Sequence, residues 1–161
     1  MTIRRAEMGD LEEICRIYAD ARAFMKENGN PNQWKDGRPG KDTAEGDILA
    51  GKSYVCVNEG EIVAVFYFAI EHDLTYEKIN GGWQKDGVYG VVHRIARSRA
   101  SNAKGASHFC LDWCFRQCGN LKIDTHQDNV PMRNLLAKLG FAYCGIIWLA
   151  NGEERLAFQK V

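Results

Sequence analysis

Two of the four histidines stand where a polar or basic stretch follows an apolar one. His93 opens HRIARSRASNAKGAS, and His126 lies within IDTHQDNVPMRNLLAKLGF. An imidazole with a pKa near 6.5 is the side chain best matched to moving a proton at neutral pH. His72 and His108 lack such a setting and read as surface or packing groups. Residues 87–111 contain no acid but carry Arg94, Arg97, Arg99 and Lys104. These cations fall where a strand is expected to run through a polar loop into a helix. A helix start offers unpaired N–H groups and a partial positive charge, so the arrangement suits a diphosphate. The Lys104-Gly105-Ala106-Ser107 turn keeps side chains small for close backbone approach. A solvated basic face would have the same composition. In the second segment, Asp124, His126, Asp128 and Asn129 close a strand at its carboxyl end, the usual ligand side of an α/β sheet.

The elements that must position these groups follow from periodicity. A short strand is expected over 2–6, then a helix in which Leu11, Ile14, Cys15, Tyr18, Ala21 and Met25 recur at helical spacing. The segment 27–40, ENGNPNQWKDGRPG, is a polar loop holding Trp34, and 43–50 reads as a second helix capped by Asp42 or Thr43. Strands are expected over 54–57 and 62–70, the latter apolar on both faces and so covered by helices on both sides. Residues 71–87 form a polar excursion, long for a connection without structure. A strand over 88–96, a helix over 104–118, a strand over 121–125 and a helix over 129–139 follow. Two strands, 141–149 and 155–159, flank an Asn151-Gly152 turn. The fold class is therefore α/β: a mixed, mostly antiparallel central sheet of about seven strands with helices on both faces, in one domain spanning 1–161.

Composition excludes several classes. Lys plus Arg and Asp plus Glu are 21 each, for a net charge of zero. A nucleic-acid or anionic-membrane binder would need a cationic surplus, so neither partner is expected. The longest apolar run, 62–70, is too short to span a bilayer, and the start MTIRRAEMGD lacks the apolar stretch of a secretory signal. A soluble, cytoplasmic protein is expected. The six cysteines include no C-x-x-C pair; Cys110, Cys114 and Cys118 read as small apolar fillers on one helix face, and no metal site is expected.

Together the two segments resemble the GNAT superfamily of N-acetyltransferases, and the element order matches that fold over essentially the whole chain. The family's phosphate loop, R/Q-x-x-G-x-G/A, falls on residues 102–107: Gly105 matches, Asn102 stands for Arg or Gln, and Ser107 for the small residue. A second family pattern, N-x-x-A-x-x-L-Y-x-K-x-G-F, is matched by Asn129, Leu135, Lys138, Gly140 and Phe141, with Met132 at the Ala position and Leu136 at the Tyr position.

The resemblance implies acetyl-CoA as cosubstrate and a primary amine of a small molecule or peptide as acceptor. It places CoA against Ile95, Ala96, Arg97, Asn102, Ala103, Lys104, Gly105, Ala106, Ser107, Asn129 and Met132. The strands holding Ile95 and Ile123 then splay apart, and the pantetheine arm pairs with the free edge of residues 95–97. A lysine-like amine is neutral only about once in 2,500 molecules at pH 7, so a base is needed. Family members with strand histidines make His93 the first candidate; strand alternation puts it on one face with Ile95 and Arg97. A histidine satisfied in the sheet core is the other reading. His126 is the second candidate, as base, as acid, or as a hydrogen-bonding group of its turn. Leu136 cannot protonate a departing thiolate as the family's tyrosine does; Tyr143 and Cys144, on the next strand, are candidate replacements or, in the favoured reading, core-packing groups. Trp34, Tyr76 and Trp83 could hold an apolar acceptor, and Glu71 and Asp73 could attract its ammonium. Dimerisation is common in the superfamily, so a homodimer is an open expectation. Two other classes stay open: a non-catalytic CoA-binding regulatory module, and an interaction domain using the basic 94–104 segment.

Overall fold

Alternating apolar residues near the N-terminus and in the 53–70 region build one edge of a sheet, and the computed structural model describes all residues, 1–161. Strands β1 (Thr2–Arg5), β2 (Ser53–Asn58) and β3 (Glu61–Ile70) pair antiparallel, and β5 (Gly90–Arg97) continues the sheet beside β3. Strand β6 (Leu121–Thr125) runs parallel to β5, followed in space by β8 (Glu154–Lys160), β7 (Ala142–Trp148) and β4 (Asn80–Gly81). The sheet has eight strands, not the expected seven or so. The extra one is β4, a two-residue strand inside the 71–87 excursion. It seats against β7 because Gly81 and Gly145 face each other with φ of 132° and 141°. A Cβ at Gly81 would lie 2.2 Å from the Cys144 carbonyl oxygen, so only glycine permits this approach.

One face carries α3 (Ala106–Cys118) and α4 (Val130–Lys138) over a core that includes Phe66, Val92, Cys110, Leu111, Cys114 and Leu136. Cys110 and Cys114 are fully buried free thiols, packing as small apolar groups. The opposite face carries α1 (Leu11–Glu27) and α2 (Lys41–Leu49), which bury Ile14, Ile17, Tyr18 and Ile48 against Val55, Val65 and Ala96. Helix α2 begins earlier than expected, with Gly40 as its cap in place of Asp42 or Thr43. The 71–87 excursion covers the rest of that face. The Lys122 ammonium, from β6, lies 4.1 Å from the Trp83 ring centroid and 3.9 Å from that of Tyr89, pinning the excursion to the sheet. No helix is long and apolar enough to cross a membrane.

Two irregularities in β5 prepare the site. First, β5 and β6 pair only at Gly90–Leu121 and Val91–Lys122, so their later halves diverge as expected from the resemblance. Second, His93 opposes Tyr67 and Ala96 opposes Val65, which leaves Arg94 and Ile95 together opposite Phe66. This is a one-residue bulge, and Arg94 takes the left-handed φ of 50° within it. The bulge resets the alternation. His93 therefore shares its face with Ala96, on the α1–α2 side, whereas Ile95 packs on the α3–α4 core and Arg97 opposes Ala64 of that core. The expectation that His93, Ile95 and Arg97 share one face is corrected by this extra residue.

Arg94 is held there by a fork onto Asp47 of α2, with Nε–Oδ2 and Nη2–Oδ1 both 2.9 Å. Its guanidinium also lies 4.9 Å from the Tyr67 ring centroid. Asp47→Ala leaves a partly buried guanidinium unpaired. We expect a loss of about 2–3 kcal/mol, roughly 5–10 °C in Tm by thermal denaturation, whereas an unchanged Tm would show that the fork is not what holds the bulge.

Candidate active site

The divergence of β5 and β6 opens two cavities that meet between the strands. The larger, about 560 Å³, runs from the splay to the start of α3. The smaller, about 200 Å³, lies toward α1, the 27–40 segment and β8. Met25, Ile95, Asn129 and Met132 line both and mark their junction.

The larger cavity is electropositive at one end. Arg97, Arg99, His108 and Lys138 line it against a single acid, Asp20. Arg99 is paired with Glu27 at 3.1 Å, while Arg97 and Lys138 make no ion pair. Helix α3 begins here. Gly105 is its N-cap with φ 79°, no side chain caps the helix, and the first turn has no acid. The N–H groups of that turn, directed at the cavity end, are suited to an anion. At the other wall, Asn129 caps α4, its side chain accepting from the Met132 N–H at 3.2 Å.

Of the residues expected to bind CoA, Ile95, Ala96, Arg97, Gly105, Ser107, Asn129 and Met132 line this cavity. Asn102, Ala103, Lys104 and Ala106 do not. Asn102 Nδ2 donates to the Asn58 carbonyl and the Asn102 carbonyl accepts from Asn58 Nδ2, while Ala103 and Ala106 are fully buried in the core. Lys104 is exposed outside it. A 3-10 turn at Ser101–Ala103 folds these residues back onto the sheet before the helix begins. His108, read as a surface or packing group, lines the basic end one turn into α3. Leu136 is buried in the core, so the family's tyrosine position does not reach this site. Tyr143 is exposed against Phe158 and Cys144 is buried; neither lines a cavity.

The smaller cavity holds the first candidate base. His93 lines it, with Nε2 2.7 Å from Asp73 Oδ2. Burial opposes ionisation of Asp73, but hydrogen bonds from His93 and from the Thr75 hydroxyl and N–H outweigh it and hold the carboxyl down at about 2. A carboxylate only accepts, so the neutral imidazole donates from Nε2, leaving the Nδ1 lone pair to take a proton. Asp73 therefore orients His93 instead of attracting an ammonium. Glu71 is engaged too, by Lys52 at 2.6 Å and by the Tyr67 hydroxyl. Trp34 lines the cavity edge-on to Tyr18, but Tyr76 and Trp83 pack from the excursion onto the sheet and reach neither cavity.

His126 is not brought to the junction. Its Nδ1 accepts from the Asp128 N–H at 3.0 Å, which fixes the turn between β6 and α4, and burial followed by the Arg155 charge lowers its pKa. It lines neither cavity. Sequence reasoning missed Gln33 and Arg155 as residues of the smaller cavity, whereas Asp124 lines it from the ligand side of β6 as expected. Gln33 Oε1 accepts from Asn30 at 3.0 Å and Asn129 at 2.9 Å, tying the 27–40 segment to α4. Arg155 had one signal: it alternates with Ala157 and Gln159 on the inward face of a strand, a setting in which a cation is unusual.

Because the Asp73 carboxyl lies below its unfolded value near 3.9, its contribution is complete above that value and is lost as pH falls through about 2. Asp73→Asn is expected to cost about 2 kcal/mol at pH 7, with the gap to wild type shrinking by about half at pH 3 in urea denaturation. A gap constant from pH 7 to 3 would show that the pairing with His93 does not set that carboxyl.

No family model matches the chain, and no curated protein matches it in sequence. Solved structures do. A GNAT-family acetyltransferase from Streptococcus agalactiae is 32% identical, with a TM-score of 0.90 over 99% of this chain and 94% of that one. A GNAT-family acetyltransferase from Listeria monocytogenes has a TM-score of 0.72 at 20% identity, covering 99% and 93% of the two chains. The ribosomal-protein-alanine N-acetyltransferase of Brucella melitensis has a TM-score of 0.68 at 16% identity, covering 100% and 99%. The last two share the fold; the first, with its identity over nearly the full length of both chains, shows that this protein belongs to the GNAT family of acetyltransferases.

Proposed function

We propose that the protein transfers the acetyl group of acetyl-CoA to a primary amine by direct attack, with acetyl-CoA in the larger cavity and the amine in the smaller. The observation that carries this is the junction: a cavity with a cationic end and a cavity walled by an oriented histidine meet only at Met25, Ile95, Asn129 and Met132. Acetyl-CoA supplies the thioester. Arg97, Lys138 and the α3 N-terminus would hold its phosphates, in place of the side chains of 102–104. The open edge of β5 would take the pantetheine arm. Ser98 N–H donates to Val63 O at 2.8 Å, so alternation turns the Arg97 N–H toward the open edge, where it can stabilise negative charge on the thioester oxygen.

The amine nitrogen forms the new amide bond to the acetyl carbon, its proton passes to His93 Nδ1, and the carbon–sulfur bond breaks. Asp73 stabilises the imidazolium so formed. No tyrosine protonates the sulfur, and none is required for slow departure, because a thiol with a pKa near 8.5 is a moderate leaving group as thiolate. Six unpaired cysteines accord with a reducing, cytoplasmic setting for this chemistry.

The test separates cofactor binding from chemistry. Acetyl-CoA at 100 times Kd should stabilise the wild type by about 2.7 kcal/mol, roughly 5–10 °C, with ATP as control. Gly105→Glu, which forces a charged side chain into a left-handed N-cap, should abolish most of that shift. His93→Ala should keep the shift and lose about 10²-fold or more in kcat on an accepted amine. No shift with wild type would sink the reading in favour of an interaction domain. Full binding by Gly105→Glu, or full activity of His93→Ala, would remove that residue's role.

A further inference from the structure

Arg155 lines the smaller cavity and is 5% exposed, yet its guanidinium has no carboxylate on hydrogen-bonding terms. Nη1 donates to the Glu154 carbonyl at 2.9 Å, and Nη2 stands 3.7 Å from Glu153 Oε2. That carboxylate is already taken, with Lys35 2.8 Å from Oε1 and Asn151 2.9 Å from Oε2. Arg94, in the same wall, is fully forked onto Asp47. A buried guanidinium with unfilled donors is costly to a fold unless something pairs with it. What remains free, the fork toward the cavity, matches a carboxylate in shape and charge.

The opposite charge stands nearby. Asp124 lines the same cavity and commits Oδ2 to the Tyr76 hydroxyl at 2.7 Å, leaving Oδ1 without a protein partner. Asp124 pairs with Ala157 across the β6–β8 ladder, and Arg155 lies two residues along β8 on the same face. Diagonal neighbours of this kind are roughly 7–8 Å apart where they leave the backbone, near enough for both side chains to reach one small molecule. His93 faces the same space from β5. Met25, Trp34, Met132 and Leu149 give the wall an apolar part, beside the polar Gln33, Thr125 and Asn129.

We propose that the acceptor is a free amino acid with an apolar side chain: Arg155 takes its carboxylate, and Asp124 draws its amino group to His93. This rests on the acetyl-transfer reading and narrows it. It excludes polypeptide N-termini, whose α-carboxyl is consumed in a peptide bond, and amines without an anion. A volume of about 200 Å³ accords with a ligand of one residue.

The test is calorimetric titration of protein saturated with CoA, using leucine, leucinamide and isoamylamine, and the matching phenylalanine series. The amino acids should bind at least tenfold more tightly than their amides or decarboxylated amines. Arg155→Gln should bring all three forms within twofold of one another, and Arg155→Lys, which keeps the charge but not the fork, should retain part of the preference. Equal binding of the three forms by wild type, a preference undiminished in Arg155→Gln, or no binding of any of them overturns the proposal. Initial rates on the same compounds with acetyl-CoA keep the two readings apart. Carboxylate-selective binding without acetyl transfer supports the anion site and sinks the reaction. Transfer to amines and amides as fast as to amino acids supports the reaction and overturns the site.

Discussion

The bulge in β5 is the constraint on which the remaining architecture depends. One extra residue between His93 and Ala96 resets the alternation, so that His93 shares its face with Ala96 and not with Ile95 and Arg97. A regular strand would put His93 on the side of α3 and α4, among core residues, with no carboxylate to orient it. The extra residue adopts a left-handed backbone that costs energy in any residue but glycine, and Arg94 offsets that cost through its fork onto Asp47. The same bulge lies where β5 and β6 cease to pair. Helix α2 is therefore coupled to the site although it contributes no residue to either cavity.

Charge is distributed with a matching logic. Around the sheet, several cations are committed to acids: Arg94 to Asp47, Lys52 to Glu71, Lys35 to Glu153. Within the cavities, Arg97 and Lys138 in one and the fork of Arg155 in the other are not hydrogen-bonded to a carboxylate. Lys122 is the contrasting case, a buried ammonium satisfied by two aromatic faces and kept out of the site by the excursion it anchors.

Much of the fold was legible because strong periodicity and turn chemistry act locally. The β5–α3 and β6–α4 units and the Gly105 turn followed from the pattern of residues 87–141, and the divergence of the two strands from the family resemblance. What escaped was set by contacts distant in sequence. The Arg94 bulge needs Asp47, and nothing within HRIAR signals an extra residue. The role of Asp73 depends on an excursion folding back over His93, and strand β4 exists only because two glycines meet across 64 positions. The residues 102–104 were misplaced because a tight 3-10 turn, invisible to periodicity, precedes the helix. Arg155 lay in plain view, but its burial depends on β7 and the 27–40 segment.

The central claim is that the open edge of β5 is where the acetyl donor binds, and amide hydrogen exchange at Arg97 tests it most directly. Ser98 N–H is already bonded to Val63, whereas the Arg97 N–H faces the splay. Saturating acetyl-CoA should slow exchange at Arg97 by at least tenfold, with little change at Ser98. Unchanged exchange at Arg97 under saturating acetyl-CoA would contradict the account.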